Sequence, residues 1–215
     1  MKHDHSPSRL EAFSDAVFAF SATLLVVSLD VPDTFPALLE DLKGFIAFGL
    51  SFLALVLIWS IHRSFFRRYR MDDRTTTVLN SCLLFVILYY VYPLKFMCES
   101  FIQGFFPKKN TPPVFQSADD LALLFMLYGA GFIAIFICFA LLYRHAANKE
   151  DISKKDRLDA TFSSRHYGLF VLIGTLSITL AFFHVGLTFG FPGIIYAILG
   201  PVCQIHAMLF YKKQR

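Results

Sequence analysis

The sequence predicts an all-α integral membrane protein of six transmembrane helices with both termini cytoplasmic. Three observations carry this prediction. The 215-residue chain is 56 % hydrophobic and 17 % charged, against roughly 45–50 % and about 25 % for soluble domains, so its charges are too few to coat a water-soluble surface. Its apolar residues gather into six runs, each long enough for a hydrocarbon core about 30 Å thick. The charges lie between those runs, with the basic ones concentrated in alternate connections. Six spans of about 21 residues use roughly 126 residues. What remains is short connections, so the chain reads as one six-helix domain over residues 1–215, with at most a loose three-plus-three division at the third loop.

In chain order the spans fall at about 12–31, 44–66, 76–97, 121–142, 167–189 and 192–211. The first follows a polar segment, MKHDHSPSRLEAFSD, and is interrupted by Asp15. A signal peptide has a continuous apolar core instead, so the chain is expected to keep this helix. Phe45–Ile61 and Leu121–Leu142 are apolar on nearly every face, whereas barrel strands alternate apolar and polar over about ten residues. The fifth and sixth spans meet at HVGLTFGFPG, which carries no formal charge. Orientation follows from the connections. The second loop holds Arg63, Arg67, Arg68, Arg70 and Arg74, and the fourth holds Arg144, Lys149, Lys154, Lys155 and Arg157. Opposite them lie Asp30, Asp33, Glu40 and Asp41 in the first loop and KKNTPP in the third. With both termini inside, roughly 16 of the 20 basic residues fall on one side, as the positive-inside rule requires.

Several function classes drop out. The net charge of +4 comes from basic residues beside apolar runs, not from a basic stripe interleaved with aromatics, so nucleic acid is not an expected partner. Cys82, Cys138 and Cys203 sit inside apolar runs, with no CxxC or Cys/His ligand spacing, and read as small core residues. No metal site is expected, and the amino-terminal HDH reads as a tail. No catalytic triad or phosphate loop supports an enzyme.

The candidate chemistry lies at one depth. Asp15 is about one turn inside the first span with Arg9 just before it, Trp59 and His62 are near the cytoplasmic end of the second, and Asn80 is about one turn into the third. An ionised carboxylate at the edge of hydrocarbon is costly unless paired, and a guanidinium, an indole N–H and an amide are suitable donors. An interfacial ion pair with snorkelling arginines and a proton relay through Asp15 and His62 both fit these residues. The first span also carries Ser14, Ser21 and Ser28 at seven-residue spacing, a stripe suited to close helix packing or to an aqueous lining. A neighbouring face holds Phe20, Thr23 or Leu24, and Val27 and is almost wholly apolar. Periodicity does not choose between the faces.

The segments that hold these residues form a recognisable set. RLEAFSDAVFAF places Arg9, Phe13, Ser14 and Asp15 in an Arg-x-x-x-Phe-Ser-Asp pattern. It is accompanied by TLLVVSLDVP (Thr23–Pro32), IWSIHRSFFRRY (Ile58–Tyr69) and LNSCLLF (Leu79–Phe85), followed by Tyr92–Pro93. Together these resemble the lysosomal-type potassium channels of the transmembrane-protein-one-seventy-five family in its prokaryotic single-repeat form. The resemblance covers roughly the first hundred residues, and the last three spans agree in number, hydrophobicity and orientation. It implies a homotetramer in the lipid bilayer of a bacterial-type plasma membrane, assembled around the first helices. Potassium is the implied permeant ion, with no cofactor. The family lacks a Gly-rich carbonyl filter, and this chain has no TVGYG segment. The implied constriction is an apolar ring of Phe20, Thr23 and Val27, braced by Arg9, Phe13, Ser14, Asp15, Trp59, His62 and Asn80. The resemblance thus selects the apolar face over the serine stripe. Phe20 stands where the family usually has Ile or Leu. Two other classes remain: a proton-conducting channel or proton-coupled carrier, and a non-conducting structural membrane protein.

Overall fold

The computed structural model describes residues 8–27, 34–35, 44–105 and 114–212. Ser28, the acidic first-loop residues Asp30, Asp33, Glu40 and Asp41, the HDH segment and KKNTPP lie outside the described residues. Among the described residues there is helix and no strand, and six helices are long and apolar enough to cross a membrane. The chain is a multi-pass, all-helical membrane protein set in lipid. It divides into two compact units, Met1–Lys108 and Lys109–Arg215, and the division falls in the third loop.

The first unit holds α1 (Arg9–Val27), α2 (Gly44–Tyr69) and α3 (Arg74–Phe105), each packed against the other two. Ser8 starts α1: its hydroxyl accepts the Glu11 N–H at 3.1 Å, relieving one of the unpaired donors of the first turn. At the end of α2, Arg70 turns the chain with φ 49°. Asp73 then caps α3, accepting the Thr76 N–H at 3.0 Å. The expected third span, 76–97, is the apolar middle of a helix of 32 residues. At about 1.5 Å per residue this helix rises roughly 48 Å and outruns the hydrocarbon, so its polar ends carry no hydropathy signal. Pro93 lies inside α3 without ending it, as membrane helices allow. Two residues further on, buried Lys95 meets Glu99 at 3.5 Å.

The second unit pairs α4 (Ala118–Ala147) with α5 (Lys154–Phe182). A capping box opens α4: the Asp120 N–H donates to Ser117 Oγ at 3.2 Å, while the Ser117 N–H donates to Asp120 Oδ2 at 2.9 Å. Ser153 opens α5 by accepting the Asp156 N–H at 3.1 Å. The helices approach closely where side chains vanish. A Cβ on Gly129 would stand 2.7 Å from Ile178 Cγ1, and one on Gly174 would stand 2.7 Å from Ile133 Cγ1. This is the close contact that small residues permit between membrane helices.

Two sequence expectations need correction here. The fifth span, expected at 167–189, runs instead from Lys154 to Phe182. Its first three turns are polar yet capped and helix-compatible, and at its far end His184 (φ 55°) and Gly186 (φ 63°) turn the chain out of the helix. The fourth loop consequently shrinks, and Lys154, Lys155 and Arg157 stand on α5. The sixth span, expected as one helix over 192–211, is broken. A 3-10 turn at Leu187–Phe189 leads into α6 (Phe191–Ile194), a second 3-10 stretch at Ile195–Ile198 and α7 (Leu199–Lys212), packed on α5. Pro201 explains the tighter stretch: it has no N–H for the Ala197 carbonyl, and its ring would clash there in regular α geometry.

Candidate functional site

The residues of α1 sort into two faces. Glu11, Ser14, Phe18, Ser21 and Leu25 are buried, at alternating spacings of three and four residues that keep them on one stripe. Both serines are fully buried, and each hydroxyl bonds back to its own helix, Ser14 Oγ to the Leu10 carbonyl at 2.8 Å and Ser21 Oγ to the Val17 carbonyl at 2.9 Å. The hydroxyls are thereby satisfied and the stripe packs as a small, smooth surface, with Leu25 sealing its far end. The opposite face is bare. Phe20 is 57 % exposed and Val27 74 % exposed, and Thr23 is exposed, with its hydroxyl turned back to the Ala19 carbonyl at 3.0 Å. Phe20 and Val27, seven residues apart, return to nearly the same azimuth about 10.5 Å along the helix.

At the beginning of the buried face a hydrogen-bonded chain joins all three helices of the unit. Ser14 Oγ has one hydrogen, which goes to the Leu10 carbonyl, so it accepts from Asn80 Nδ2 at 2.9 Å. That fixes the amide: Asn80 Oδ1 faces His62 Nε2 at 2.8 Å, and Nε2 carries the hydrogen between them. Ser14, His62 and Asn80 are each at most 1 % exposed. His62 Nδ1 is buried without a partner. The His62 ring lies between Phe18, at 5.3 Å between centroids, and Phe66, at 4.6 Å.

A second, more exposed connection links α1 to α2 alone. The Trp59 indole N–H donates to Asp15 Oδ1 at 2.7 Å, and the Arg63 guanidinium lies over the Trp59 ring, 5.3 Å from its centroid. Asp15 is exposed. No hydrogen bond joins Asp15 to His62 among the described residues. An indole nitrogen only donates, so Trp59 holds the carboxylate and does not relay its proton.

Of the seven residues expected to brace the helices, the structure brings together Ser14, Asp15, Trp59, His62 and Asn80. It leaves out the other two. Arg9 is exposed, and among the described residues no ion pair joins it to Asp15; the carboxylate takes the Trp59 donor instead. Phe13 is 60 % exposed; lying seven residues before Phe20, it joins the bare stripe and not the cluster. Phe18 was missed by the sequence reading. Its signal was present, since it stands four residues after Ser14 and three before Ser21. Among the described residues no three His, Cys, Asp or Glu side chains gather as a metal site.

The match to a family model coincides with this unit, and relatives align along the whole chain. The family model described as endosomal/lysosomal potassium channel TMEM175 matches residues 9–90, which hold α1, α2 and the part of α3 that carries Asn80. A protein of Marivirga tractuosa named potassium channel is 32 % identical over 220 residues, covering 97 % of this chain and 89 % of its own. A crystal structure of the potassium channel MtTMEM175, a variant in complex with a nanobody–MBP fusion protein, matches at a TM-score of 0.84 and 31 % identity over 98 % of this chain and 96 % of that one. The Mus musculus protein named endosomal/lysosomal proton channel TMEM175 is 35 % identical over 89 residues, which are 35 % of this chain and 18 % of the mouse protein. These relatives are named as ion channels, and this chain belongs to the TMEM175 family.

Proposed function

We propose that the protein is a potassium-preferring cation channel of a bacterial-type plasma membrane, with both termini cytoplasmic, in which four copies surround the pore with α1. The two units then act as one six-helix channel domain. The observation that carries this reading is the division of α1 into a packed serine face and a bare Phe20–Thr23–Val27 face. In a family whose relatives are named potassium channels, a helix with its polar stripe already sealed has the apolar stripe left for the axis. Four Phe20 rings would form the narrowest layer and four Val27 side chains a second, with Thr23 between them. Apolar rings hinder ions because they replace no hydration contacts, and a narrow one empties of water, so size acts as the gate. Ser14, Asp15, Trp59, His62 and Asn80 would hold the helix at the angle that presents this face. Potassium is the permeant species, and no cofactor takes part.

The test is reconstitution of purified protein in liposomes under potassium, sodium and proton gradients. A reversal potential that follows the potassium gradient supports the proposal; absence of current at every gradient defeats it. A second reading, proton conduction, has one observation in its favour, the name of the mouse relative. A reversal potential that follows the proton gradient would establish it.

A further inference from the structure

The second unit carries a cavity of about 680 Å³ between α5 and α7, which the pore reading does not use. One wall is a stripe of α5: Lys154, Arg157, Leu158, Thr161 and Arg165. At 100° per residue these five fall within about 60° of one line along the helix. The carboxylates of the same segment point elsewhere, since Asp156 and Asp159 lie about 140–160° around the helix from Lys154. Asp156 is held at the helix start by the Ser153 hydroxyl at 2.6 Å. Arg157 already spends one N–H on the Lys149 carbonyl at 2.9 Å, which fixes its guanidinium and leaves its other donors open. No carboxylate pairs with Lys154 or Arg165 among the described residues.

The other wall differs. Leu209 and Phe210 of α7 line it with His206, whose ring stacks on Phe162 at 4.9 Å between centroids. The cavity is therefore cationic along one side and mainly apolar along the other.

Its depth says what such a cavity meets. About 20 residues cross the hydrocarbon, and counting that far back from Phe182 puts the boundary near Phe162. Arg165 then stands just inside the boundary, and Lys154 and Arg157 stand one to two turns outside it, at headgroup level. A soluble anion would leave the Leu209–Phe210 wall facing water. A zwitterionic lipid would bring a cation against three cations.

We infer that this groove is a binding site for an anionic phospholipid, with the phosphate among Lys154, Arg157 and Arg165 and an acyl chain along Leu209 and Phe210. Basic pockets between membrane helices recognise acidic headgroups by this combination of charge and burial. The inference concerns the second unit alone and does not depend on what the protein conducts.

The test is native mass spectrometry of the purified full-length protein, delipidated and offered phosphatidylglycerol or phosphatidylcholine at equal concentration. Phosphatidylglycerol should be retained at least tenfold more, and the triple variant Lys154→Gln, Arg157→Gln, Arg165→Gln should lose about that factor. A control double variant, Arg144→Gln with Lys155→Gln, removes two basic residues outside the cavity and should retain phosphatidylglycerol unchanged. Should the triple variant fail to fold, Arg165→Gln alone should lower retention about threefold. Equal retention of the two lipids, or equal loss in the control, overturns the inference. So does displacement of phosphatidylglycerol by an equal concentration of glycerol 3-phosphate, which would mark the site as one for soluble anions.

Discussion

Asn80 and Asp15 occupy the same depth, but they do not hold the same load. Asn80 touches the other two helices at once and is fully buried, whereas Asp15 takes one donor in an exposed position. Replacing Asn80 with Ala strands the His62 N–H and the Ser14 oxygen in a dry interior, where each unpaired group costs about 1–3 kcal/mol. Replacing Asp15 with Ala removes one partly solvated bond, worth about 1 kcal/mol. Thermal melting in detergent should therefore fall clearly further for Asn80→Ala than for Asp15→Ala, and the reverse order would move the bracing role back to the carboxylate. The two α1 phenylalanines divide in the same way. Phe18 is 5 % exposed against the His62 ring, so Phe18→Ala should cost about 3–5 kcal/mol through the cavity it leaves. Phe20→Ala should cost little stability, raise potassium flux several-fold and weaken discrimination against sodium. Unchanged conductance in well-folded Phe20→Ala protein would remove Phe20 from the pore. Membership of the polar cluster was legible because hydropathy fixes depth, and Asp15, Trp59, His62 and Asn80 share one. The pairing was not, because depth leaves the azimuth of each helix free: a guanidinium, an indole and an amide were all suitable donors for Asp15, and the Trp59 indole is the one that meets it.

At the scale of elements, the number and type of helices were readable and their ends were not. A hydropathy window detects the part of a helix inside hydrocarbon, so α3 and α5 emerge longer than their apolar centres, continued by residues whose caps are Asp73 and Ser153. The break in the sixth span was written in Pro192 and Pro201, but an apolar run conceals it from any average of hydrophobicity. Close packing offers a sharper test. On α5, Gly174 lies against α4, with Ile133 Cγ1 and Phe132 Cδ1 at 2.7 and 3.2 Å from the place of an added Cβ, while Gly168 has nothing within 4 Å. Alanine gains up to about 1 kcal/mol over glycine in a helix interior, and overpacking costs about 1–3 kcal/mol. Gly168→Ala should thus raise the melting temperature and Gly174→Ala should lower it. Equal shifts would mean that the two helices separate without cost.

For the molecule as a whole, the question is which apolar surface meets lipid and which meets protein. Exposure alone does not decide it, because lipid is as apolar as leucine and provides no hydrophobic drive between helices. Side-chain size does discriminate, since close helix contacts in membranes need small residues. Ala12, Ala16, Ala19 and Thr23 are all exposed on the outer surface of α1, with Phe20 and Val27 nearby. On the helix wheel these four lie about 40–100° to one side of Phe20. That is where the next α1 would pack if Phe20 faced a common axis. Four chains of 24.5 kDa should therefore travel as one particle in mild detergent by native mass spectrometry. Ala16→Leu, which adds bulk to that flank without touching the serine face or the Asn80 chain, should shift the particle toward smaller species. The melting of the individual chain should stay within about 0.5 kcal/mol, as for other surface changes. A wild-type monomer would end the tetrameric reading outright. An Ala16→Leu protein that remained tetrameric and conducted normally would show that the small-residue flank of α1 faces lipid, and a different surface would have to hold the copies together.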